Sequence, residues 1–238
     1  MTEERFERSR ALLGDAAFAR LANAHIAVFG VGGVGGWCAE ALLRTGIRRL
    51  TLIDDDRVAA SNINRQRQAR PDTIGRPKVE VLRDQLLEII PEAQITARTE
   101  RYTSQNATAF DSLLTDADII IDAIDSVDCK AHLIRRCADH AANGGKLILF
   151  SSMGAALRTD PTKIRTAPFH KVTGDGLARA LRNRFRKDGV ALPHHLCVYS
   201  EEPPKVLLDS SKGSIMPVTC AFGMTLAALV INQIAQPT

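Results

Sequence analysis

The sequence predicts an α/β fold in which helices cover both faces of a parallel sheet. Two observations predict it: short apolar runs alternate with helical stretches along most of the chain, and a glycine-rich turn follows the first run. Strands that alternate with helices run parallel, because each helix carries the chain back across the sheet. We expect one compact unit, with a core of residues 1–155 and a smaller C-terminal extension of residues 156–238 packed on it.

The core elements follow from the period of the apolar residues. A short apolar run indicates a strand, and a period near 3.6 indicates a helix. The first 25 residues predict one helix, with Leu12, Leu13 and Phe18 among its apolar positions. The predicted strands lie at 26–29, 50–53, 94–98, 118–122 and 146–151. The other predicted helices run from the glycine turn to Gly46, from Pro77 to about residue 90, and over about 105–114 and 126–142.

The extension begins where this pattern changes. It contains a short strand near 163–166, a basic helix near 177–188, a strand at 196–200, a loop at 201–212 and an uncharged tail. The basic helix fits either a face that binds phosphates or an ordinary solvated surface. Its cations, with no acid among them, are Arg179, Arg182, Arg184, Arg186 and Lys187.

The uncharged tail, residues 214–238, is the one stretch whose length approaches a membrane span. Pro217, Asn232 and Gln233 interrupt it, and no basic cluster follows it. These features favour a buried helix or a subunit interface over a span. We therefore expect no stable membrane association.

The composition is that of a soluble globular protein, with 45% hydrophobic residues, 24% charged residues and a formal net charge of +4. No two of the five cysteines are spaced as CxxC, which excludes a zinc ribbon and a thioredoxin-type redox pair. The first ten residues contain no apolar run, so no signal sequence is predicted. We expect a reducing, cytoplasmic environment.

A glycine motif, GVGGVG at residues 30–35, lies between the first strand and a helix. Glycines allow a tight turn there, and the backbone N–H groups at a helix start favour a bound phosphate. Asp54, at the end of the second strand, is placed to hold ribose hydroxyls. The motif alone is typical of Rossmann-like domains that bind NAD, so an oxidoreductase is one open interpretation. Its glycines are Gly30, Gly32, Gly33 and Gly35.

Three charged residues favour a triphosphate over a dinucleotide. Arg65, Lys78 and Asp125 fall at or near the carboxyl ends of strands, where ligands bind in open parallel sheets. A triphosphate needs cations for its oxygens and a carboxylate that holds Mg²⁺, whereas a nicotinamide needs neither. Each residue alone has an ordinary explanation, as a solvated arginine, a helix-surface lysine or a helix N-cap. Together they predict ATP and Mg²⁺ as ligands.

At these residues the chain resembles the family of ATP-dependent activating enzymes that includes the molybdopterin- and thiamine-pathway adenylyltransferases and the ubiquitin-activating enzymes. Within that family it looks most like the tRNA threonylcarbamoyladenosine dehydratases, over nearly the whole chain. The motifs that carry the resemblance are GVGGVG at 30–35, DDD at 54–56, SNINRQ at 61–66, GRPKVE at 75–80, DAID at 122–125, SSMGA at 151–155 and DPT at 160–162.

The resemblance implies a role for each matched residue. Arg65, Lys78 and Asp125 would be the catalytic residues, with Asp125 also holding Mg²⁺. Arg8 stands where relatives place an arginine that reaches the partner subunit's nucleotide, with Arg10 close by, which implies a homodimer. The other implied nucleotide-binding residues are Gly30, Gly32, Gly33, Gly35, Asp54, Asp56, Asn62 and Gln66.

Two departures from the family bear on the substrate. Relatives that activate small sulfur-carrier proteins often hold zinc with two CxxC pairs, and some carry a cysteine in the loop before the last helix; this chain has neither feature. The resemblance implies ATP-dependent activation of the carboxylate of N6-threonylcarbamoyladenosine at position 37 of tRNA, which gives a cyclic, dehydrated product. The implied partners are tRNA and a candidate sulfur-relay protein. Adenylation of the C-terminus of a ubiquitin-like sulfur carrier is the alternative.

Overall fold

The computed structural model describes residues 4–206 and 213–236. The strands in this part of the chain are β1 (His25–Phe29), β2 (Arg49–Ile53), β3 (Gln94–Arg98), β4 (Ile119–Asp122), β5 (Ile148–Ser152), β6 (Ile164–Pro168) and β7 (Leu196–Ser200). They form one sheet in the order β3-β2-β1-β4-β5-β7-β6. Neighbouring strands run parallel, except that β6 is antiparallel to β7.

Helices connect most of these strands. The α-helices in the described residues are α1 (Glu7–Leu13), α2 (Asp15–Asn23), α3 (Gly35–Thr45), α4 (Lys78–Ile89), α5 (Asp111–Asp116), α6 (Val127–Ala142), α7 (Gly176–Lys187) and α8 (Met216–Ala235). Short 3-10 helices lie at Glu4–Phe6, Ala60–Asn62, Pro71–Thr73, Ala107–Phe110, Pro161–Lys163 and Phe169–Lys171.

Alternate side chains of the central strands enter two separate cores, as the pleat of a strand requires. Ile26 and Val28 of β1 pack in one core with residues of α2, α3, α4 and α8. Ala27 and Phe29 pack in the other with residues of α5, α6 and α7. Helices therefore cover both faces of a mostly parallel sheet, and the predicted fold class is confirmed.

The order of the strands reverses at β1, which places the ligand-binding crevice. The chain passes from β1 to β2 and β3 on one side, and then to β4 and β5 on the other. In an open parallel sheet, such a reversal leaves a crevice at the carboxyl ends of the strands. Gly30, directly after β1, lets the turn after β1 pack closely against the turn after β4. A Cβ at this residue would lie 2.7 Å from the Ala123 carbonyl oxygen.

The predicted strands are confirmed to within two residues at either end. Two helix predictions need correction. The first 25 residues form two helices because Gly14, with φ +80°, separates α1 from α2, and Leu12 is 84% exposed instead of packed. The segment 105–114 forms a 3-10 helix followed by α5, which ends at Asp116.

The C-terminal part of the chain completes the sheet. β7 lies between β5 and β6, and it pairs with β5 in parallel. α8 packs along α3 and α2. Elements from both sides of residue 155 therefore share one sheet and one core, while the division of the chain at that residue stays a prediction.

α8 is the one helix in the described residues that is long and apolar enough to cross a membrane by length and composition. Val218, Phe222, Leu226 and Val230 lie on one side of it and are completely buried in the core that contains β1. A spacing of four residues is the pattern of a helix that packs one face on a protein core.

The contact between α8 and α3 leaves no room for a side chain at Gly223. A Cβ there would lie 2.6 Å from the Val34 carbonyl oxygen and 3.0 Å from the Cys38 nitrogen. We expect Gly223→Ala to lower the free energy of unfolding by about 1–3 kcal/mol, because the two helices must move apart. Urea unfolding measures the change.

Gly176→Ala is the matched control, because a Cβ at Gly176 meets no atom within 4 Å. Alanine in a helix is more favourable than glycine by about 1 kcal/mol, so the control keeps or gains stability. Equal stability of Gly223→Ala and the wild type would contradict the close contact between the helices.

Candidate active site

A cavity of about 840 Å³ opens at the carboxyl ends of β1, β2, β4 and β5. Its volume lies in the range that accommodates a cofactor-sized ligand. The turns after β1, β2 and β4, together with residues of the loop before α4, form one part of its lining. Residues 152–158, the start of α7 and the start of α8 form a second part.

Close backbone contacts shape the glycine turn. A Cβ at Gly35, the first residue of α3, would lie 1.9 Å from the Gly30 carbonyl oxygen. Glycine at this position therefore lets α3 begin directly against the end of β1. Gln68, which is completely buried, donates from Nε2 to the Val31 carbonyl oxygen at 2.7 Å. The fixed turn presents the N–H groups of a helix start, which suit a phosphate.

Asp54 ties the glycine turn to the loop after β2. Its Oδ2 accepts from the Val31 N–H at 2.8 Å, and its Oδ1 accepts from the Asp56 N–H at 2.9 Å. Burial raises the pKa of Asp54, while the charge of Lys78 and these backbone hydrogen bonds oppose the rise. A carboxylate oxygen has two acceptor sites, so each oxygen of Asp54 keeps one for a ribose hydroxyl.

Two predicted cations lie in this part of the lining. Lys78 is buried, and its Nζ lies 2.7 Å from Asp56 Oδ2. Arg65 donates from Nη1 to the Ser61 carbonyl oxygen at 2.9 Å and to Asn64 Oδ1 at 2.8 Å. Asp56 and the segment that contains Ser61 and Asn64 therefore hold the two cations at the cavity, where they can offset the charge of phosphate oxygens.

Asp125 is the carboxylate best placed for a metal ion. It is exposed in the turn after β4, and it forms no hydrogen bond with another described residue. Mg²⁺ prefers oxygen ligands and keeps several waters, which suits a free carboxylate. The carboxylates of Asp54, Asp55 and Asp56 also lie within 4.8 Å of one another, but Lys78 and backbone N–H groups already engage two of them. The donor set fits a triphosphate with Mg²⁺.

The cavity brings together the predicted nucleotide-binding and catalytic residues except Gly35 and Arg8. Arg8 lies on α1 with an exposed side chain, whereas Arg10 forms an ion pair with Asp15 at 2.8 Å. Of these two arginines, Arg8 is therefore the more accessible. The predicted residues that line the cavity are Gly30, Gly32, Gly33, Asp54, Asp56, Asn62, Arg65, Gln66, Lys78 and Asp125.

A third cation of the lining, Arg101 on the loop after β3, was not predicted from the sequence. A hydrogen bond with Cys129 raises the pKa of Arg101, and so do the nearby charges of Asp55 and Asp125. Its place just beyond the carboxyl end of a parallel strand is the signal that could have identified it.

The ion pair that organises the second part of the lining was not predicted from the sequence either. Arg158 is 4% exposed; it donates from Nε to the Glu202 carbonyl oxygen at 3.1 Å and forms an ion pair with Asp175 at 3.1 Å. Asp175 accepts from the Gly154 N–H at 3.1 Å and from the Ala178 N–H at 2.8 Å. This pair joins the loop after β5, the loop after β7 and the start of α7.

A buried charge pair lies beneath the turn that carries Asp125. Lys130 and Asp122 are both completely buried, with 2.9 Å between Nζ and Oδ2. Lys130 also donates to the Asp122 and Ile124 carbonyl oxygens, at 3.2 and 3.1 Å. These hydrogen bonds tie the turn backbone to the buried pair, although such a pair contributes little net stability.

Ser151 and His195 extend this buried network. Ser151 Oγ donates to Asp122 Oδ2 at 2.9 Å, and His195 Nε2 lies 3.0 Å from Ser151 Oγ. Burial lowers the pKa of His195 to about 3, and the charge of Lys130 adds to the effect. His195 is therefore neutral at physiological pH and adds no second positive charge near Lys130.

A model described as the ThiF family matches residues 6–237. The chain belongs to the ThiF family. This ThiF-family chain is 40% identical over 243 residues to the tRNA threonylcarbamoyladenosine dehydratase of Escherichia coli (strain K12), with 95% of this chain and 87% of the relative covered. It is 33% identical over 239 residues to the tRNA threonylcarbamoyladenosine dehydratase of Bacillus subtilis (strain 168), with 95% and 91% covered.

A solved structure of a relative has the same fold as this ThiF-family chain. The crystal structure of the E. coli tRNA N6-threonylcarbamoyladenosine dehydratase in complex with ATP superposes with a TM-score of 0.88 at 37% identity, and covers 97% of this chain and 93% of that chain. The predicted resemblance to the family and to its dehydratase branch is confirmed.

The sulfur-carrier branch of the family matches less of the chain. The molybdopterin-synthase adenylyltransferase of Salmonella typhimurium (strain LT2) is 34% identical over 140 residues, which cover 59% of this chain and 52% of that relative. The alternative prediction is therefore the weaker one.

The buried His195 predicts a pH dependence of stability. Its folded-state pKa of about 3 lies below the ordinary value of 6.5, so the unfolded chain binds a proton first as pH falls. Stability is then lost below pH 6.5, by at most about 1.4 kcal/mol per pH unit from this residue. We expect His195→Gln, which removes the titrating group, to lose less stability than the wild type between pH 6.5 and 4.5 in urea unfolding.

His170→Gln serves as the control, because His170 is exposed and its substitution should leave the wild-type pH dependence unchanged. If the wild type and His195→Gln lose the same stability between pH 6.5 and 4.5, protonation of His195 does not contribute to that loss, and the prediction is wrong.

Proposed function

We propose that this protein uses ATP to activate the carboxylate of N6-threonylcarbamoyladenosine in tRNA, which gives the cyclic, dehydrated nucleoside. One observation carries the proposal: a single cavity combines a glycine turn, the cations Arg65 and Lys78 and the free carboxylate of Asp125, in a chain similar to tRNA threonylcarbamoyladenosine dehydratases over 95% of its length. An ATP complex is known for one such relative.

The chemistry requires activation because a carboxylate repels nucleophiles and oxide is a poor leaving group. In the proposed reaction a carboxylate oxygen attacks a phosphorus of ATP. Attack at the α-phosphorus gives an acyl-adenylate and pyrophosphate, and attack at the γ-phosphorus would give an acyl-phosphate and ADP. The carbamoyl group of the same side chain then attacks the acyl carbon and loses a proton. The phosphate group leaves with the former carboxylate oxygen, so the nucleoside loses one water in total.

The protein positions the reactants and stabilises charge. Asp54 accepts the ribose hydroxyls, and the N–H groups of the glycine turn bind phosphate oxygens. Arg65 and Lys78 offset the charge that develops on the phosphates during the transfer. Mg²⁺, when bound, would supply further charge neutralisation on the phosphates, and Asp125 would hold it.

The ring closure requires no nucleophile from the enzyme, because the attacking group belongs to the substrate. The absence of a cysteine from the loop at 201–212 agrees with this route. Cys129 lines the cavity beside Arg101, but the proposed transfer uses no thiol.

We also propose that the protein is a cytoplasmic homodimer in which Arg8 reaches the nucleotide of the second subunit. The exposed apolar side chains of Leu12 on α1, and of Met216 and Met224 on α8, are candidates for the interface. A sulfur-relay protein stays a candidate partner, supported only by the resemblance to the family.

The primary test is AMP formation from ATP and Mg²⁺ with tRNA that carries threonylcarbamoyladenosine, compared with unmodified tRNA. We expect AMP release together with the loss of one water from the modified nucleoside, measured by mass spectrometry of digested tRNA. Arg65→Ala and Asp125→Ala should each lower the rate by about 10³-fold or more, since a comparable transition-state arginine contributes about 10³–10⁵.

Arg70→Ala and Asp139→Ala are matched controls, because both residues are exposed and neither lines the cavity. They should keep the wild-type rate, and all variants should unfold at similar urea concentrations. Near-normal turnover by Arg65→Ala or Asp125→Ala would remove that residue from the mechanism. AMP formation that depends on a small carrier protein instead of tRNA would favour the alternative substrate.

The role of Arg8 can be tested by subunit mixing. Arg8→Ala and Asp125→Ala proteins, each inactive alone, are mixed and allowed to exchange subunits. If Arg8 acts across the dimer, each mixed dimer regains one complete site, and about a quarter of the wild-type activity returns in a twofold-symmetric assembly. If Arg8 acts within its own subunit, mixing restores no activity.

A further inference from the structure

α7 begins on the wall of the cavity and runs away from it. Gly176, Leu177 and Ala180, in its first two turns, line the cavity, and so does the capping residue Asp175. The remaining turns carry the basic residues of the helix. α7 therefore connects the reaction site with the surface around it.

The Arg158–Asp175 pair fixes this geometry. Asp175 caps α7 through the Ala178 N–H, and the buried guanidinium of Arg158 holds Asp175 against the loop after β5. On its other side, α7 packs through the buried Phe185, whose ring centroid lies 5.9 Å from that of Phe169. The helix has a defined direction relative to the cavity, so its cations have defined places as well.

The five cations of α7 are not equivalent. Arg184 forms ion pairs with Asp128 and Asp188, and Arg182 donates to the Val172 carbonyl oxygen at 2.9 Å. The other three are exposed and form no ion pair with a described residue: they are Arg179, Arg186 and Lys187.

We propose that Arg179, Arg186 and Lys187 form a phosphate track that binds the tRNA backbone beside the target nucleotide; this inference rests on the proposed function. A nucleoside that enters the cavity brings its neighbouring phosphates to the cavity mouth, where α7 starts. Arg179 to Lys187 span about 12 Å of helix axis at 1.5 Å per residue, which is enough to contact more than one phosphate. Exposed arginines and lysines without acidic partners are the groups that bind such a backbone.

Lys171 extends the same surface. It is exposed and lies in the 3-10 helix Phe169–Lys171, whose Phe169 packs on α7 through Phe185. The exposed cations on and beside α7 together suit the closely spaced charges of a nucleic-acid backbone.

The test is tRNA binding by the triple variant Arg179→Gln, Arg186→Gln and Lys187→Gln, measured by fluorescence anisotropy over a range of salt concentrations. We expect Kd at low salt to rise about tenfold or more. The slope of log K against log salt should become shallower by about 2, because three contacts to a single-stranded loop contribute about 0.7 each.

Two single variants are matched controls. Arg184→Gln removes a cation from the same helix that acids already neutralise. Lys146→Gln removes an exposed cation just before β5, at the amino end of that strand, whereas the cavity opens at the carboxyl ends. Both should bind tRNA with the wild-type affinity to within about twofold and keep the wild-type slope. ATP binding by calorimetry should be unchanged in all three variants.

A gain of affinity tests the track in the other direction. The double variant Asp128→Asn and Asp188→Asn frees Arg184, and it should tighten tRNA binding and make the salt slope steeper. The inference is overturned if the triple variant keeps the wild-type Kd and slope, or if Arg184→Gln weakens binding as much as the triple variant does. These results concern tRNA affinity only; failure of the proposed function would appear instead as AMP formation by the wild type that does not depend on the modified tRNA.

Discussion

The parallel pairing of β1 between β2 and β4 is the constraint on which the site depends. It places the carboxyl ends of three strands side by side. Gly30 packs there against the Ala123 carbonyl oxygen, which would lie only 2.7 Å from a Cβ at this residue. The glycine turn and the turn that carries Asp125 are thereby held in direct contact. Asp54 adds the third turn through its hydrogen bond to the Val31 N–H. Phosphate-binding N–H groups and the candidate metal ligand therefore belong to one rigid backbone unit.

The buried charged groups of the site lie against groups of opposite charge. Lys78 is buried but lies against Asp56, and Lys130 is completely buried against Asp122. Burial alone would raise the pKa of both Asp54 and Asp122, and in each case a neighbouring lysine opposes the rise. Asp125 and Arg65 differ from these groups, because they retain contact with solvent. Asp122 and Lys130 are buried, Asp54 is half-buried, and all three hold the backbone, whereas Asp125 and Arg65 are accessible to ligand charge. Lys78 combines both features, because it is buried and paired but also lines the cavity.

Most of the fold and one part of the lining could be predicted from the sequence. Apolar runs identified the strands, because a parallel strand that is buried on both faces consists mostly of apolar residues. The GVGGVG motif, together with Arg65, Lys78 and Asp125, identified residues that line the cavity. The sequence could not reveal that β7 lies between β5 and β6, because strand order is a long-range property. Arg158, Asp175 and His195 were missed for the same reason: their partners are distant in the chain. Leu12 has the right period but is exposed in the described part of the chain.

The insertion of β7 between β5 and β6 sets an order on folding. β6 is made before β7, yet its only hydrogen-bonded neighbour among the described strands is β7, so both β6 and the free edge of β5 must wait until residue 200 has been synthesised. α3 likewise keeps one face exposed until α8, at the very end of the described chain, packs on it. Contacts of this kind join distant parts of the chain and slow its folding. A nascent chain that has completed every nucleotide-binding motif is therefore still an open sheet with uncovered apolar surface, and a C-terminal truncation would leave it permanently in that state.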